Sequence, residues 1–310
     1  MSFTTVRTTV GRVLLVCGLL VLLFIPYLLW GTGLITARSQ ATLRSQFSAA
    51  EHKTGTVIPK VHLHPTAPNQ PLKLAPSVPP PALGGPVGNI SIPKIGLSMM
   101  VVEGTGEGQL EMGPGHYPGT PLPGEQGNVA IAGHRTTYLH PFYNLDALVT
   151  GDSINVITLQ GIFLYHVTSS QAVDPTDVAV VAPTTTPELT LTTCNPRYSA
   201  SQRLVVQATL VASILVDPKH PPAHPVSTTH HSGSTTSTTL PDADTSGPSK
   251  DWAAAIGWGI VVAGLTIGLW MLASRTRSWR AAVIGFGAVT WLVVVFFFFQ
   301  SVAPLLPASY

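Results

Sequence analysis

The chain is short of cysteine, short of charge, and without any long helical pattern in its middle, and each shortage excludes something. Two cysteines occur in 310 residues, Cys17 and Cys194. Cys17 lies inside an uncharged apolar run, so Cys194 has no partner in its own compartment and a disulfide framework is ruled out. Charged residues make up 10% of the chain, and three stretches have none: between Arg12 and Arg38, between Asp251 and Arg275, and from Ala281 past Val302. Each exceeds the roughly 18 to 20 apolar residues that a helix needs to cross about 30 Å of hydrocarbon. The formal net charge of +2 comes from the tails and from the connection between the last two runs. In the middle of the chain Lys94, Arg135, Arg197 and Arg203 face more than twice as many acids, which excludes a nucleic-acid partner. Those acids lack the spacing of calcium ligands, and His220, His224, His230 and His231 sit in a solvated Ser/Thr/Pro tract. No metal and no other cofactor is expected.

Basic residues near span ends stay on the cytoplasmic side. Arg7 and Arg12 precede the first run, and Arg275, Arg277 and Arg280 fill the connection between the second and third. These clusters agree when the amino terminus and that connection are inside and everything between about Arg38 and Asp251 is outside. The alternative, a cleaved signal peptide, fits less well, because the first apolar run is longer than the usual h-region of about 7 to 15 residues. The chain then divides into a cytoplasmic amino terminus (1–12), a transmembrane helix (13–35), an extracytoplasmic stalk and Pro-rich linker (36–86) and a compact unit (87–216). A Ser/Thr/His/Pro-rich linker (217–251), a second transmembrane helix (252–274), a cytoplasmic loop (275–280) and a third transmembrane helix (281–303) follow. The sequence predicts a multi-pass plasma-membrane protein with its compact unit outside. Within the stalk, Leu43 and Phe47 at i, i+4 spacing suggest a short helix, too weakly patterned for a core. The prolines around Val78-Pro-Pro-Pro81 favour extended chain.

The compact unit has the periodicity of strands. Short apolar segments such as Asn128-Val-Ala-Ile-Ala, Ser153-Ile-Asn-Val-Ile and Ile162-Phe-Leu-Tyr-His-Val alternate with Gly, Pro, Asn and Asp clusters. That pattern implies an all-β barrel or sandwich, with a helical turn or two at Pro141 to Leu148 and Asp174 to Val178. Glu188-Leu-Thr-Leu-Thr-Thr-Cys194 and Arg203-Leu-Val-Val-Gln-Ala-Thr-Leu210 read as an antiparallel hairpin around the loop 195–202. Pairing Cys194 with Arg203 puts Cys194, Thr192 and Thr190 on one face with Arg203, Val205 and Gln207. It also puts Leu191 and Leu189 opposite Val206 and Ala208 on the other. A third strand, Asn128-Val-Ala-Ile-Ala-Gly-His134-Arg135, delivers an imidazole at its end. With a lone thiol and a strand-mouth arginine nearby, His134 is a candidate proton donor and acceptor.

Taken together, Gly133-His134-Arg135, then Thr190-Leu-Thr-Thr-Cys194, then Arg203 nine residues on resemble the signature of the sortases, cysteine transpeptidases of Gram-positive bacteria. The resemblance runs from Ile92-Pro-Lys-Ile-Gly-Leu97 through Gly113-Pro-Gly-His-Tyr-Pro-Gly119 to Leu210, and is most similar to the class E enzymes of actinobacteria. It implies a closed eight-stranded β-barrel with short helices, here joined to three transmembrane helices. It also implies that Cys194 is the nucleophile, His134 the general acid and base, and Arg203 the group that steadies the oxyanion. Thr193, Tyr117 and Tyr138 are candidate substrate-binding residues. Arg197 reads as a solvated loop residue. The implied partners are secreted proteins with a carboxyl-terminal Leu-x-x-Thr-Gly-like signal, with Leu-Ala-x-Thr-Gly expected, and an amine of peptidoglycan or its precursor. The lipid bilayer is the third partner. A pilin-polymerising sortase and a non-catalytic wall-associated barrel are the competing readings. The two carboxyl-terminal spans depart from the usual single-anchor plan. A thiol and an imidazole at their ordinary values of about 8.5 and 6.5 are mostly neutral at pH 7, so a two-limbed pH-rate profile is expected.

Overall fold

In a computed structural model the described residues are 3–55, 58, 72–216, 252–275 and 280–302. The linker 217–251, most of the Pro-rich segment before residue 72 and the interior of the basic connection 275–280 lie outside them. The chain divides into two compact units, Met1–Thr32 with Pro248–Ala308, and Gly33–Gly247 with Ser309–Tyr310.

The first unit contains helix α1 (Phe3–Pro26), closed by a π-helical turn at Tyr27–Gly31, and two further helices described below. The second begins with α2 (Thr32–Thr54) and contains eight strands. These are β1 (Pro86–Ile92), β2 (Leu97–Glu103), β3 (Gly115–His116), β4 (Asn128–Ala132), β5 (Ser153–Thr158), β6 (Gly161–Val173), β7 (Glu188–Asn195) and β8 (Gln202–Leu215), with a short helix α3 (Glu107–Met112) after β2. The strands close as β1-β2-β3-β4-β7-β8-β6-β5. Of the barrel and the sandwich, the barrel is the architecture found.

Alternation decides which side chains fill the interior. Ile90, Ile92, Val129, Ile131, Ile154, Val156, Phe163, Tyr165, Leu189, Leu191 and Val206 point inward and are fully buried. Gly124 (φ +91°) turns against this core, where an added Cβ would lie 2.0 Å from the Phe163 ring. Its N–H donates to the Tyr165 hydroxyl at 2.8 Å, and burial holds that phenol above its ordinary range. A buried pair fixes the way into β3: His116 Nδ1 lies 2.7 Å from Glu103 Oε2, and His116 Nε2 2.9 Å from the Pro121 carbonyl. A carbonyl only accepts, so Nε2 is the donor in the second contact.

Two segments expected as spacers are instead part of the folded unit. Leu43 and Phe47 of α2 are buried against Met100 and Val102 on the outside of the barrel. Strand β2 pairs with β1 along its length but with β3 only at Val102 and Glu103, so an edge is left open at Met100. Gln40 closes it: Gln40 Oε1 accepts from the Met100 N–H at 2.7 Å and Nε2 donates to the Met100 carbonyl at 2.9 Å. Two apolar side chains suffice for α2 because the surface that they meet is itself apolar. The Pro-rich stretch is pinned from residue 72 onward. Leu72 and Leu74 pack on the barrel core, Ala75 is buried in it, the Ala75 N–H donates to the Gly124 carbonyl at 2.8 Å, and the Val78 N–H donates to Glu125 Oε1 at 2.9 Å.

Three spans were expected, and two of the described helices are long and apolar enough to cross a membrane. They are Trp252–Leu272 within α4 (Trp252–Arg275) and Gly285–Val302 within α5 (Arg280–Val302). In the first run the apolar helix Leu14–Pro26 is shorter, ending where proline removes a backbone donor and the π-helical turn begins. The Trp291 indole N–H donates to Thr266 Oγ1 at 2.9 Å, and Trp258 stacks on Phe297. Large apolar side chains such as Ile260, Trp270 and Phe286 are left exposed, as on helices whose solvent is lipid.

Candidate active site

Strands β7 and β8 pair in the register read from the sequence. Cys194 is opposite Arg203, Thr192 opposite Val205 and Leu191 opposite Val206. Leu189 and Leu191 fill the interior, so Thr190, Thr192 and Cys194 stand on the outer face. Cys194 itself is half-buried. The Arg203 side chain lies at the mouth of the hairpin, where Nη1 donates to the carbonyls of Ala200 (3.1 Å) and Gln202 (3.3 Å).

The third residue arrives through a parallel pairing. Strand β4 runs beside β7 with Ala130 level with Thr190 and Ala132 level with Thr192. The ladder continues one step further, with the Gly133 N–H donating to the Thr192 carbonyl at 3.1 Å and Thr193 Oγ1 donating to the Gly133 carbonyl at 2.7 Å. By that register His134 comes level with Cys194. Glycine is required before it, since a Cβ at Gly133 would lie 2.7 Å from the buried Phe142 ring.

The loop that follows bends back over the imidazole. Tyr138, Leu139 and His140 have φ of 53°, 60° and 38°, three successive non-glycine residues in the left-handed region. The loop is held by the Phe142 N–H donating to the His134 carbonyl (3.1 Å), by the His140 N–H donating to the Thr137 carbonyl (2.7 Å), and by Tyr138 Oη donating to Glu111 Oε1 (2.7 Å). The Tyr138 ring lies 4.9 Å from the His134 ring. His134 keeps some exposure as a residue, but its Nε2 is buried and has no hydrogen-bond partner among the described residues. Desolvation lowers its pKa from 6.5 to about 4, so the resting imidazole is neutral. Burial likewise pushes the Glu111 carboxyl up, although the Tyr138 hydrogen bond opposes this.

The lesser candidates separate. Tyr117 is on the outer face beside the thiol: its hydroxyl is 3.0 Å from Thr192 Oγ1, burial raises its pKa, and the phenol feels the charge of both Arg203 and Cys194. Tyr138 touches His134. The Thr193 hydroxyl is buried and spent on the Gly133 carbonyl, so it braces the two strands and does not face the thiol. Arg197, expected to be solvated, has its guanidinium 4.5 Å above the Tyr143 ring, and its Nη2 pairs with Asp146 at 2.9 Å. A planar cation over an aromatic face with a carboxylate in reach gains more than water offers it. The loop 174–187 is tied to the same outer face, with Asn128 Nδ2 donating to the Val180 and Ala182 carbonyls (3.1 and 3.2 Å).

Arg135, Asp146 and Glu111 have roles in the site that their sequence context did not announce. Arg135 is 3% exposed. Its Nη1 donates to the Cys194 carbonyl at 3.1 Å and to Asn195 Oδ1 at 2.6 Å, and its Nη2 pairs with Asp146 at 3.0 Å. A charged residue flanked by a histidine and two threonines carries no local sign of burial, so only its place in the Gly-His-Arg motif pointed to it. No group of three or more metal-ligating side chains occurs among the described residues.

Residues 90–211 match the family model described as the sortase domain. The chain is 35% identical over 117 residues to Sortase D of Bacillus subtilis, covering 37% of this chain and 58% of that protein. It is 28% identical over 218 residues to Sortase SrtE1 of Streptomyces coelicolor, covering 65% of this chain and 56% of that one. The chain therefore spans less than two thirds of the length of these curated relatives. Sortase E from Streptomyces avermitilis is a solved structure with 37% identity and a TM-score of 0.40, covering 45% of this chain and 97% of that chain.

Proposed function

We propose that this chain, whose residues 90–211 match the sortase-domain family model, is a membrane-anchored cysteine transpeptidase. It cleaves a Leu-x-x-Thr-Gly-like sorting signal, with Leu-Ala-x-Thr-Gly the expected form, and transfers the new carboxyl end to a cell-wall amine. The observation that carries this reading is the parallel β4–β7 register, which brings His134 level with a cysteine already paired across the hairpin with Arg203.

The chemistry follows from those groups. The Cys194 thiol gives its proton to His134, and the sulfur attacks the threonine carbonyl carbon of the signal. The carbonyl electrons move to oxygen, and the oxyanion is held by Arg203 beside it. Collapse of this intermediate breaks the Thr–Gly bond as the imidazolium returns its proton to the departing amine, leaving an acyl-thioester. An incoming amine then loses a proton to His134 while attacking the thioester, and Cys194 leaves as the thiol. Tyr117, whose hydroxyl meets Thr192 on the face that carries Cys194, is the residue that this reading sets against the signal. Neutral His134 suits the first step, because only a neutral imidazole accepts the thiol proton.

On this reading the barrel is outside the cell, an orientation that the basic residues beside the apolar segments support. The two carboxyl-terminal helices are the spans of this reading, with Arg275, Arg277 and Arg280 between them on the inner side.

Mass spectrometry of the full-length chain incubated with a Leu-Ala-Glu-Thr-Gly peptide and a panel of amines tests the proposal. A thioester 1:1 with peptide, absent from Cys194→Ala, and an amide product ending at threonine are expected. Hydrolysis without coupling to any amine would refute the transferase reading. Products joined only through a lysine side chain of a shell protein would favour pilin polymerisation, and a wild type that forms no more product than Cys194→Ala would leave a non-catalytic barrel.

A further inference from the structure

We infer that Arg135 is a positioning residue for this transpeptidation, one that sets the separation of imidazole and thiol; the inference rests on the function proposed above. The need for such a residue lies in the sheet. The β4–β7 ladder ends at Gly133, so the backbone that carries His134 leaves the sheet, while Cys194 stays in β7, paired with β8 but no longer with β4. Arg135 takes over at that point. It is next in the chain to His134, and its guanidinium grips the carbonyl of Cys194 (3.1 Å) and the side chain of Asn195 (2.6 Å). Asp146, at the helical turn Leu145–Ala147, holds the same guanidinium from another side at 3.0 Å, and is itself held by Arg197.

One planar cation thus fastens together the residue after His134, the end of β7 and the turn Leu145–Ala147. The fixed fork of arginine suits this task, since its donors diverge at set angles and a lysine ammonium cannot reach all three acceptors together. Burial of a guanidinium costs stability unless it is paired, and here Nε remains buried with no partner among the described residues. Its placement is therefore dictated by the three Nη contacts. Displacement of a reacting group by about 1 Å can cost on the order of a hundredfold in rate.

The test uses the full-length chain in detergent, a quenched Leu-Ala-Glu-Thr-Gly peptide and diaminopimelate as the amine, with kcat, KM and melting temperature measured for each variant. Arg135→Met should lower kcat by about 10- to 100-fold with KM within about twofold. Arg135→Lys should recover part of the loss. Asp146→Ala, at a half-exposed side chain, should lower kcat several-fold without lowering the melting temperature, and it reads the inference even where Arg135→Met fails to fold. A kcat loss that merely tracks the unfolded fraction, a change in KM alone, or wild-type kcat in both Arg135→Lys and Asp146→Ala would overturn it. Cys194-dependent cleavage by the wild type alongside such results would sink the positioning role alone; a wild type no more active than Cys194→Ala would sink the proposed function and this inference with it.

Discussion

The folded chain loses stability through His134 as the pH falls from 6.5 to 4. Burial of the imidazole lowers its pKa from 6.5 to about 4, whereas in the unfolded chain it titrates at its ordinary value. Between those limits the unfolded state binds a proton that the folded state refuses, so stability is complete above pH 6.5 and declines as the pH falls through 4. At 1.36 kcal/mol per pKa unit the whole effect is about 3 kcal/mol, an upper bound for a residue that keeps some exposure. His134→Gln removes it. Urea denaturation of the full-length chain in detergent, from pH 7 to pH 4, should show the wild type losing up to about 3 kcal/mol relative to the variant across that window, with little divergence above pH 6.5. Parallel curves would refute the burial argument. The same quantity bears on turnover: forming an imidazolium here is opposed by about 3 kcal/mol, unless the thiolate made in the same step stands close enough to offset it.

Further outcomes follow from contacts nearby. Arg203→Ala should lower kcat by about two to three orders of magnitude with little change in melting temperature, since removal of one oxyanion donor costs about 2.7 to 4 kcal/mol; unimpaired thioester formation in that variant would remove Arg203 from the mechanism. Gln40→Ala should destabilise the barrel by about 1 to 3 kcal/mol, because the Met100 N–H and carbonyl lose their side-chain partner, and hydrogen exchange at the Met100 amide should accelerate. Gly133→Ala forces a Cβ into the Phe142 ring and should cost about 1 to 3 kcal/mol, read by thermal unfolding.

The hairpin of β7 and β8 was legible because its two strands carry alternating patterns that agree on both faces in one register only. The parallel neighbour β4 was not, since its partner lies more than fifty residues away and no turn fixes the offset. Composition misled in the Pro-rich stretch: proline favours extended chain, but extended chain can also lie along a barrel, and a single buried Ala75 leaves no periodic trace. For α2 the clue was in the strand it covers. Met99-Met-Val-Val102 is apolar on both sides, which asks for a cover outside the barrel as well as a core inside. Arg197 was misjudged because sequence shows neither the Tyr143 ring nor the carboxylate of Asp146 beside it. The first apolar run was judged by its lack of charge, and the break after Pro26 shortened it.

The docking of α2 also decides where the molecule can be cut. A soluble version beginning at Val87, the natural choice from composition, would bare the unpaired stretch of β2 and invite a second copy to complete it strand to strand. Keeping the chain from Gly33 onward retains Gln40, Leu43 and Phe47, and with them the cover over that edge.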